Sequence, residues 1–262
     1  MTAATAKVPA GLPPGYATER EGHALVVALP TAMSTVLDAI RTAGTLHDWA
    51  ATRPDAREFR GRAAAYAVAA GGDQWVVRHY RRGGMVARLL RDRYVRLGDA
   101  RPLTELRASH AARDRGVPTP EIVAAVVYDD GALYRADLAT RLIPGAKDLA
   151  DAVLGPDRGD AGERVAAWRA AGSLLRRAFG AGVVHADINL RNILVQAGDS
   201  ATPEAYLLDL DRAVVRDGAV DDVARRRMLE RLHRSRRKLE SASGVHATAD
   251  ELRAFAAGVT GA

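Results

Sequence analysis

Residues 183–211, VVHADINLRNILVQAGDSATPEAYLLDLD, set the tightest limits on what this chain can fold into. Gly180 and Gly182 stand just before them and stop a helix there. Two short apolar runs, 193–195 and 206–208, read as strands, and the second leads into the acids of Asp209-Leu210-Asp211. His185-Ala186-Asp187 comes first, and Asn192 follows Asp187 by five residues. Phosphoryl transfer needs groups of this kind. One Asp orients the attacking hydroxyl and accepts its proton, while an Asn and a second Asp hold the metal that bridges the phosphates. Magnesium is hard and takes oxygen ligands, which suits Asp and Asn. The competing reading is an ordinary loop, with Asp and Asn as turn residues.

Composition narrows the classes. At 262 residues, the chain is long enough for one large domain or two lobes sharing a cleft. Aromatics are only 5% and alanine is abundant, so the helices are expected to pack through small residues. There is no cysteine, which excludes disulfides, thiolate metal sites and cysteine nucleophiles. The net charge is +6, carried far more by arginine than by lysine, and favours acidic partners. No apolar run approaches the roughly 20 residues of a membrane span. The first residues, MTAATAKVPAGLPPG, lack the apolar core of a signal peptide and read as a disordered tail over 1–20.

Residues 24–29 read as a first strand, and 32–43 as a helix capped by Thr31. Two apolar runs, 63–69 and 74–79, joined by Gly71-Gly72-Asp73, read as a hairpin. In a phosphate-binding hairpin, a glycine turn covers the phosphates and a later strand carries a cation to them. Gly61 is the candidate for the turn, although alanines occupy the later glycine positions and a plain hairpin explains the run equally. Arg78 is the candidate cation; arginine grips phosphate through a planar fork, unlike lysine. His79 reads as structural or as an extra phosphate contact. Residues 78–101 hold eight arginines and form either a solvated helix face or a basic element facing an anionic substrate or membrane. A helix over 102–115 starts at Pro102 and ends at Gly116. Its Glu105, read as lying in the first turn, either pairs with Arg78 or simply complements the helix dipole.

A second hairpin is expected over 121–128 and 132–140, with the backbone near Thr140 and Leu142 placed to receive adenine at a hinge. Residues 151–160 read as a surface loop. Residues 162–180 read as an amphipathic helix with Trp168 and Phe179 in its core face. Residues 220–240 form a basic helix whose apolar side carries Val223, Met228, Leu229, Leu232 and Leu239. Nucleic acid is disfavoured as its partner because no stacking aromatics are interleaved; anionic lipid or an acidic acceptor fits better. A short helix over 248–257 completes the chain.

In this order the pieces resemble the lipopolysaccharide core kinases, the 3-deoxy-D-manno-octulosonic acid (Kdo) kinases among them. The likeness is carried by WVVRHYRRGG (75–84), YRADLAT (134–140), IPGAKDL (143–149), GVVHADINLRNILV (182–195), LLDLDRA (207–213) and RLHRSRRKL (231–239). It implies an α+β, protein-kinase-like fold of two lobes: an N-lobe over 21–141 with an N-terminal extension, and a mainly helical C-lobe over 142–262. It further implies transfer of phosphate from ATP, with Mg²⁺, to the 4-hydroxyl of Kdo on a lipid A precursor at the cytoplasmic face of the inner membrane. Under this resemblance Asp187 is the base, Asn192, Asp209 and Asp211 are the metal residues, and Arg78 and Glu105 are the strand-cation pair. His185 braces the catalytic loop. The anionic membrane would be met by the arginines of 78–101 and 225–238, with no obligate protein partner. Leu210 stands where the family has Phe, and the glycine turn is the weakest correspondence. A heptose kinase, another small-molecule kinase of this fold and a non-catalytic pseudokinase are the alternatives.

Overall fold

A computed structural model of the chain describes residues 11–59, 64–81, 92–95, 98–196 and 203–262. Gly61, the candidate phosphate turn, lies outside the described residues, as does most of the arginine-rich run between 81 and 98. The architecture is α+β. The chain divides into two units: Met1–Arg107 with Glu121–Leu142, and Ala108–Pro120 with Ile143–Ala262.

The N-terminal unit is built on one antiparallel sheet. Its strands are β1 (Ala17–Glu21), β2 (Ala24–Ala28), β3 (Arg57–Phe59), β4 (Ala65–Ala70), β5 (Asp73–His79), β6 (Tyr94–Val95), β7 (Ile122–Asp130) and β8 (Leu133–Arg141). They run in the order β1-β2-β7-β8-β5-β4-β3, with β6 also paired to β8. Both faces of the sheet centre are covered, which explains why β2 reads ALVVA without polar alternation. Ala24, Val26 and Ala28 pack beneath helices α1 (Pro30–Ala43) and α2 (Leu46–Ala51). Leu25 and Val27 point the other way, onto Leu103 and Leu106 of α3 (Arg101–Asp114) and onto Tyr80, Tyr94 and Tyr134. This is the two-residue period of a strand serving two cores. β7 follows the same rule after a register shift between Ile122 and Ala124.

Three expectations change here. β1 begins at Ala17, inside the stretch read as tail, and Leu12 and Tyr16 already pack on the core, the Tyr16 hydroxyl donating to the Ile122 carbonyl at 2.6 Å. The strand at 24–28 is therefore second, not first. Helix α2 was not foreseen; Thr45 caps it by accepting from the Asp48 amide.

The C-terminal unit holds the end of α3, then α4 (Leu149–Leu154), α5 (Ala161–Gly180), α6 (Asp222–Ser243) and α7 (Ala249–Thr260). It also holds short strands β9 (Lys147–Asp148), β10 (Val183–His185), β11 (Ile193–Gln196), β12 (Glu204–Leu207) and β13 (Ala213–Val215). Trp168, Leu174, Leu175 and Phe179 of α5 form the centre of its core. Asp160 and Glu163 form a reciprocal cap at the start of α5, and Thr248 and Glu251 do the same for α7. The expectation of packing through small residues holds for these two helices. A methyl group on Gly172 would overlap the Phe255 carbonyl, and one on Gly258 would overlap the Arg169 carbonyl.

The first four residues of the stretch read as a surface loop over 151–160 are helical. Asp148 caps α4 by accepting from the Asp151 amide, and Leu149, Ala150, Val153 and Leu154 are buried. In α6, Met228 and Leu232 are buried as expected, but Val223 is 60% exposed. Two of the arginines assigned to its outer surface turn inward: Arg236 pairs with buried Glu240 at 2.8 Å, and the Arg225 guanidinium lies 5.7 Å from the Phe179 ring centre.

Candidate active site

Arg78 and Glu105 meet within the N-terminal unit. β5 carries Arg78, and α3 carries Glu105 as its fifth residue, one residue deeper than the sequence suggested and just past the first turn. That position removes the helix-dipole explanation, which applies to the first turn. Glu105 is 4% exposed, and Nη2 of Arg78 lies 2.6 and 2.5 Å from its two carboxylate oxygens. The Tyr80 hydroxyl donates to Glu105 Oε2, and its ring stacks 4.6 Å from the Arg78 guanidinium. Tyr80 escaped the sequence reading, although its period-two offset from Arg78 places it on the same sheet face.

His79 points to the opposite face and is structural. Its Nδ1 lies 2.6 Å from Asp137 Oδ1 and its Nε2 lies 3.1 Å from Asp92 Oδ2. Burial opposes protonation of this ring and is the largest single influence, but the Asp137 and Asp92 carboxylates outweigh it and raise the pKa. Asp137 is fully buried, and its Oδ2 accepts from the His47 amide at 2.9 Å and the Tyr128 hydroxyl at 2.8 Å. This carboxylate ties β8, β7, β5 and α2 together. It lies in YRADLAT, and its sequence signal is a lone acid in a run that is otherwise buried.

At the end of β8, Thr140 is paired on both sides, with Val76 and with Ile122. The Arg141 amide donates to the Glu121 carbonyl and the Leu142 amide to the Gln74 carbonyl, each at 2.8 Å. The amide of Leu142 is thus already engaged within its own unit.

In the C-terminal unit, two strand pairs bring two loops side by side. β10 and β13 place His185 opposite Ala213, and β11 and β12 place Ile193 opposite Leu207. Loop 186–192 and turn 208–212 therefore leave adjacent strand ends. His185, 1% exposed, stitches them together: Nδ1 accepts from the Asp187 amide at 3.2 Å, so the proton sits on Nε2, which donates to the Leu208 carbonyl at 2.9 Å. The Leu208 amide donates to the Asn192 carbonyl at 2.9 Å. The next residue, Asp209, has φ 60° and ψ 59°, the one left-handed non-glycine among the described residues. Such a conformation costs on the order of 1–3 kcal/mol and persists where surrounding bonds enforce it.

Asp187 is exposed at the tip of its loop. Its carbonyl accepts from the side-chain amides of Asn189 at 2.9 Å and Asn192 at 3.1 Å. Arg191, beside Asn192, reaches Asp148 at 2.9 Å and Asp151 at 3.1 Å and ties the loop to the start of α4. Burial, foremost, raises the pKa of Asp148, with Arg191 acting against it. The Leu190 amide donates to the Ser235 hydroxyl of α6 at 3.4 Å.

The donor set suits magnesium. Asn192 gives its amide nitrogen to the loop, which leaves an oxygen for a hard cation. Asp209 and Asp211 are half-buried carboxylates on the neighbouring turn. Among the described residues no three His, Cys, Asp or Glu side chains cluster as a closed metal cage. Magnesium does not require one, because it keeps several waters and shares its shell with phosphate.

The chain is similar to known proteins of one family. The model of the lipopolysaccharide kinase (Kdo/WaaP) family matches residues 47–254. The chain is 36% identical over 187 residues to a 3-deoxy-D-manno-octulosonic acid kinase of Stenotrophomonas maltophilia strain K279a, covering 71% of this chain and 70% of that protein. It is 39% identical over 181 residues to the kinase of the same name from Xanthomonas euvesicatoria pv. vesicatoria strain 85-10, covering 68% of each. A solved structure of WaaP in complex with acyl carrier protein matches the fold with a TM-score of 0.51 at 18% identity, over 79% of this chain and 78% of that one. At that identity the match speaks for the fold alone. Among the described residues no helix is long and apolar enough to cross a membrane. With a kinase-like α+β fold and a family match over most of its length, the chain is an ATP-using phosphotransferase belonging to the lipopolysaccharide kinase (Kdo/WaaP) family.

Proposed function

We propose that this protein transfers the γ-phosphoryl group of ATP to the 4-hydroxyl of a Kdo residue on a lipid A precursor. The observation that carries the acceptor is the identity of 36–39%, over about seven-tenths of the chain, to enzymes named Kdo kinases. In this reading, residues 21–141 act as the N-lobe and 142–262 as the C-lobe. Asp187 is the base: it accepts the proton of the attacking hydroxyl as that oxygen bonds to the γ-phosphorus and the bond to the ADP oxygen breaks. Arg78, held by Glu105 and Tyr80, is the cation for the α- and β-phosphates. Thr140 and Leu142 lie at the edge where adenine is read. Gly61 remains the candidate for the turn over the phosphates. Asn192, Asp209 and Asp211 are the residues that would hold magnesium, which neutralises charge on the phosphate oxygens when bound.

Charge supports the acceptor class. Kdo carries a carboxylate and lipid A precursors carry phosphates, and the chain has a net charge of +6. Arg226, Arg227, Arg234, Arg237 and Lys238 are exposed on α6 and suit a peripheral position on the anionic cytoplasmic face of the inner membrane. The arginine-rich run 78–101, half of which lies outside the described residues, is the second segment assigned to that surface.

The test is transfer of labelled γ-phosphate from Mg·ATP to Kdo-bearing lipid A precursor, beside the same precursor lacking Kdo. Label on the Kdo-bearing lipid alone is expected, with the phosphate located on the 4-oxygen by NMR. Equal label on both lipids, or on neither, overturns the acceptor assignment and points to another core sugar or to a protein without turnover.

A further inference from the structure

We propose that Arg212 is a positioning residue that aims Asp187, and that it does so from the same turn that carries the two candidate metal acids. This rests on the reading of Asp187 as the base.

Every polar atom of Asp187 but one is engaged. Its amide donates to His185 Nδ1. Its carbonyl accepts from Asn189 and Asn192. Its Oδ2 accepts from Arg212 Nη1 at 2.8 Å. Among the described residues, Oδ1 is the one polar atom of Asp187 with no hydrogen bond. The backbone bonds fix where the residue is, but they leave the side-chain torsions open. An exposed Asp carboxylate has a two-fold, broad terminal torsion and would present either oxygen in many directions. The contact with Arg212 removes that freedom: with Oδ2 pinned, Oδ1 is the oxygen presented to the incoming hydroxyl.

The placement of Arg212 adds a second consequence. Asp211 and Arg212 share a single turn of 3₁₀ helix, Leu210–Arg212, which follows directly from left-handed Asp209. The turn is anchored by His185 at Leu208 and continues into β13 at Ala213. One rigid turn therefore carries the candidate metal carboxylates and the guanidinium that sets the base. Ordering this turn sets the direction of Oδ1 through Arg212. An exposed ion pair contributes little to stability, so the contact serves orientation rather than folding.

The experiment uses the full chain and three variants, Arg212→Ala, Arg212→Lys and the double variant Asp187→Ala/Arg212→Ala. Two rates are read: label transfer to Kdo-bearing lipid A precursor, and ATP hydrolysis without acceptor, in which water stands in for the hydroxyl. Arg212→Ala is expected to lower kcat by about 10- to 100-fold in both, with the KM for ATP and the melting temperature unchanged. Arg212→Lys is expected to recover part of the loss. Guanidinium ion at low millimolar concentration is expected to raise kcat of Arg212→Ala and to leave the double variant untouched, because no base remains to be aimed. Wild-type kcat in Arg212→Ala overturns the proposal. So does a loss confined to the KM of the acceptor, or a kcat loss that neither lysine nor guanidinium relieves. If the wild-type protein fails to label the Kdo lipid, the acceptor reading falls, and the hydrolysis rates still decide the role of Arg212.

Discussion

Two sets of polar residues, one from each unit, lie under opposite conditions. In the N-terminal unit they are buried: Asp137 is 0% exposed, Glu105 4% and His79 9%. In the C-terminal unit the side chains of Asp187 and Arg212 are 51% and 59% exposed. A buried charge is tolerated only when its partners satisfy it, so the N-terminal groups come with full sets of donors: His79, the His47 amide and the Tyr128 hydroxyl on Asp137, and Arg78 and Tyr80 on Glu105. An exposed carboxylate needs no partner for stability, yet Asp187 has bonds at its amide, its carbonyl and one side-chain oxygen. The difference implies that Asp137 and His79 are bound up with folding and Asp187 and Arg212 with turnover, and substitutions should separate the two.

The largest effect is expected at Asp187. Asp187→Ala should lower the rate of phosphoryl transfer by about 10²- to 10⁴-fold, the usual worth of a positioned base, and leave the urea midpoint unchanged. Undiminished transfer would remove Asp187 from the mechanism, and a large loss of stability would break the contrast. Asp137→Ala should behave in the opposite way. It strands the His79 ring, the Tyr128 hydroxyl and the His47 amide, and breaking a buried pair of this kind costs about 3–5 kcal/mol. Urea unfolding should show that loss; a cost below about 1 kcal/mol would mean that water replaces the carboxylate.

The contrast also accounts for what could be read in advance. The C-terminal site was legible because its residues are close in sequence: Asp187, Asn192, Asp209 and Asp211 sit within one stretch, and their strands are short apolar runs between turn residues. The N-terminal cluster was legible only in part. Arg78 and Glu105 could be matched as a cation and an acid, but Asp137 lies 58 residues from His79, and a lone acid in an apolar run gives no sign of which ring the sheet register brings alongside it. Helix α4 was missed because six residues give too short a period to separate from a loop, although Asp148 and Asp151 mark its start. β1 was missed because ATERE is polar and half-exposed; it is held by pairing with β2 rather than by its own side chains. Arg212 was passed over because an arginine after two acids in a basic chain carries no signal until its partner is located.

If the stability of the C-terminal unit does not reside in its site, it should reside in its helix packing. α5 and α7 cross at Gly172 and Gly258, where the two backbones are in direct contact. Gly172→Ala would gain helix propensity, worth roughly 1 kcal/mol. Against that, the new methyl meets the backbone at Phe255 and Gly258, which cannot rotate away as a side chain would. Overpacking of this kind costs about 1–3 kcal/mol, so a net loss of about 1–2 kcal/mol is expected in urea unfolding, with initial rates at 25 °C unchanged. A stabilised variant would show that the crossing has room to open.

The smallest effect concerns the protonation of His79 and sharpens the comparison most. Its pKa is raised in the folded protein by Asp137 and Asp92, against the opposing effect of burial. In the unfolded chain the group returns to about 6.5. A group whose pKa is raised on folding stabilises the fold in its protonated form. That contribution is therefore complete below about pH 6.5 and is lost as the pH rises through the folded-state value. The urea midpoint should fall from pH 6 towards alkaline pH and then level off, and the difference between wild type and His79→Gln should shrink over the same window. The imidazolium is shielded from solvent between two carboxylates, so 0.5 M salt should leave most of the slope in place, unlike that of a surface pair. Turnover of Asp187-dependent transfer should not follow this slope at temperatures far below the melt, because Asp187 and His79 belong to different units. A midpoint independent of pH in the wild type would mean that the ring is neutral and that Asp137 draws its stability from the His47 amide and the Tyr128 hydroxyl alone.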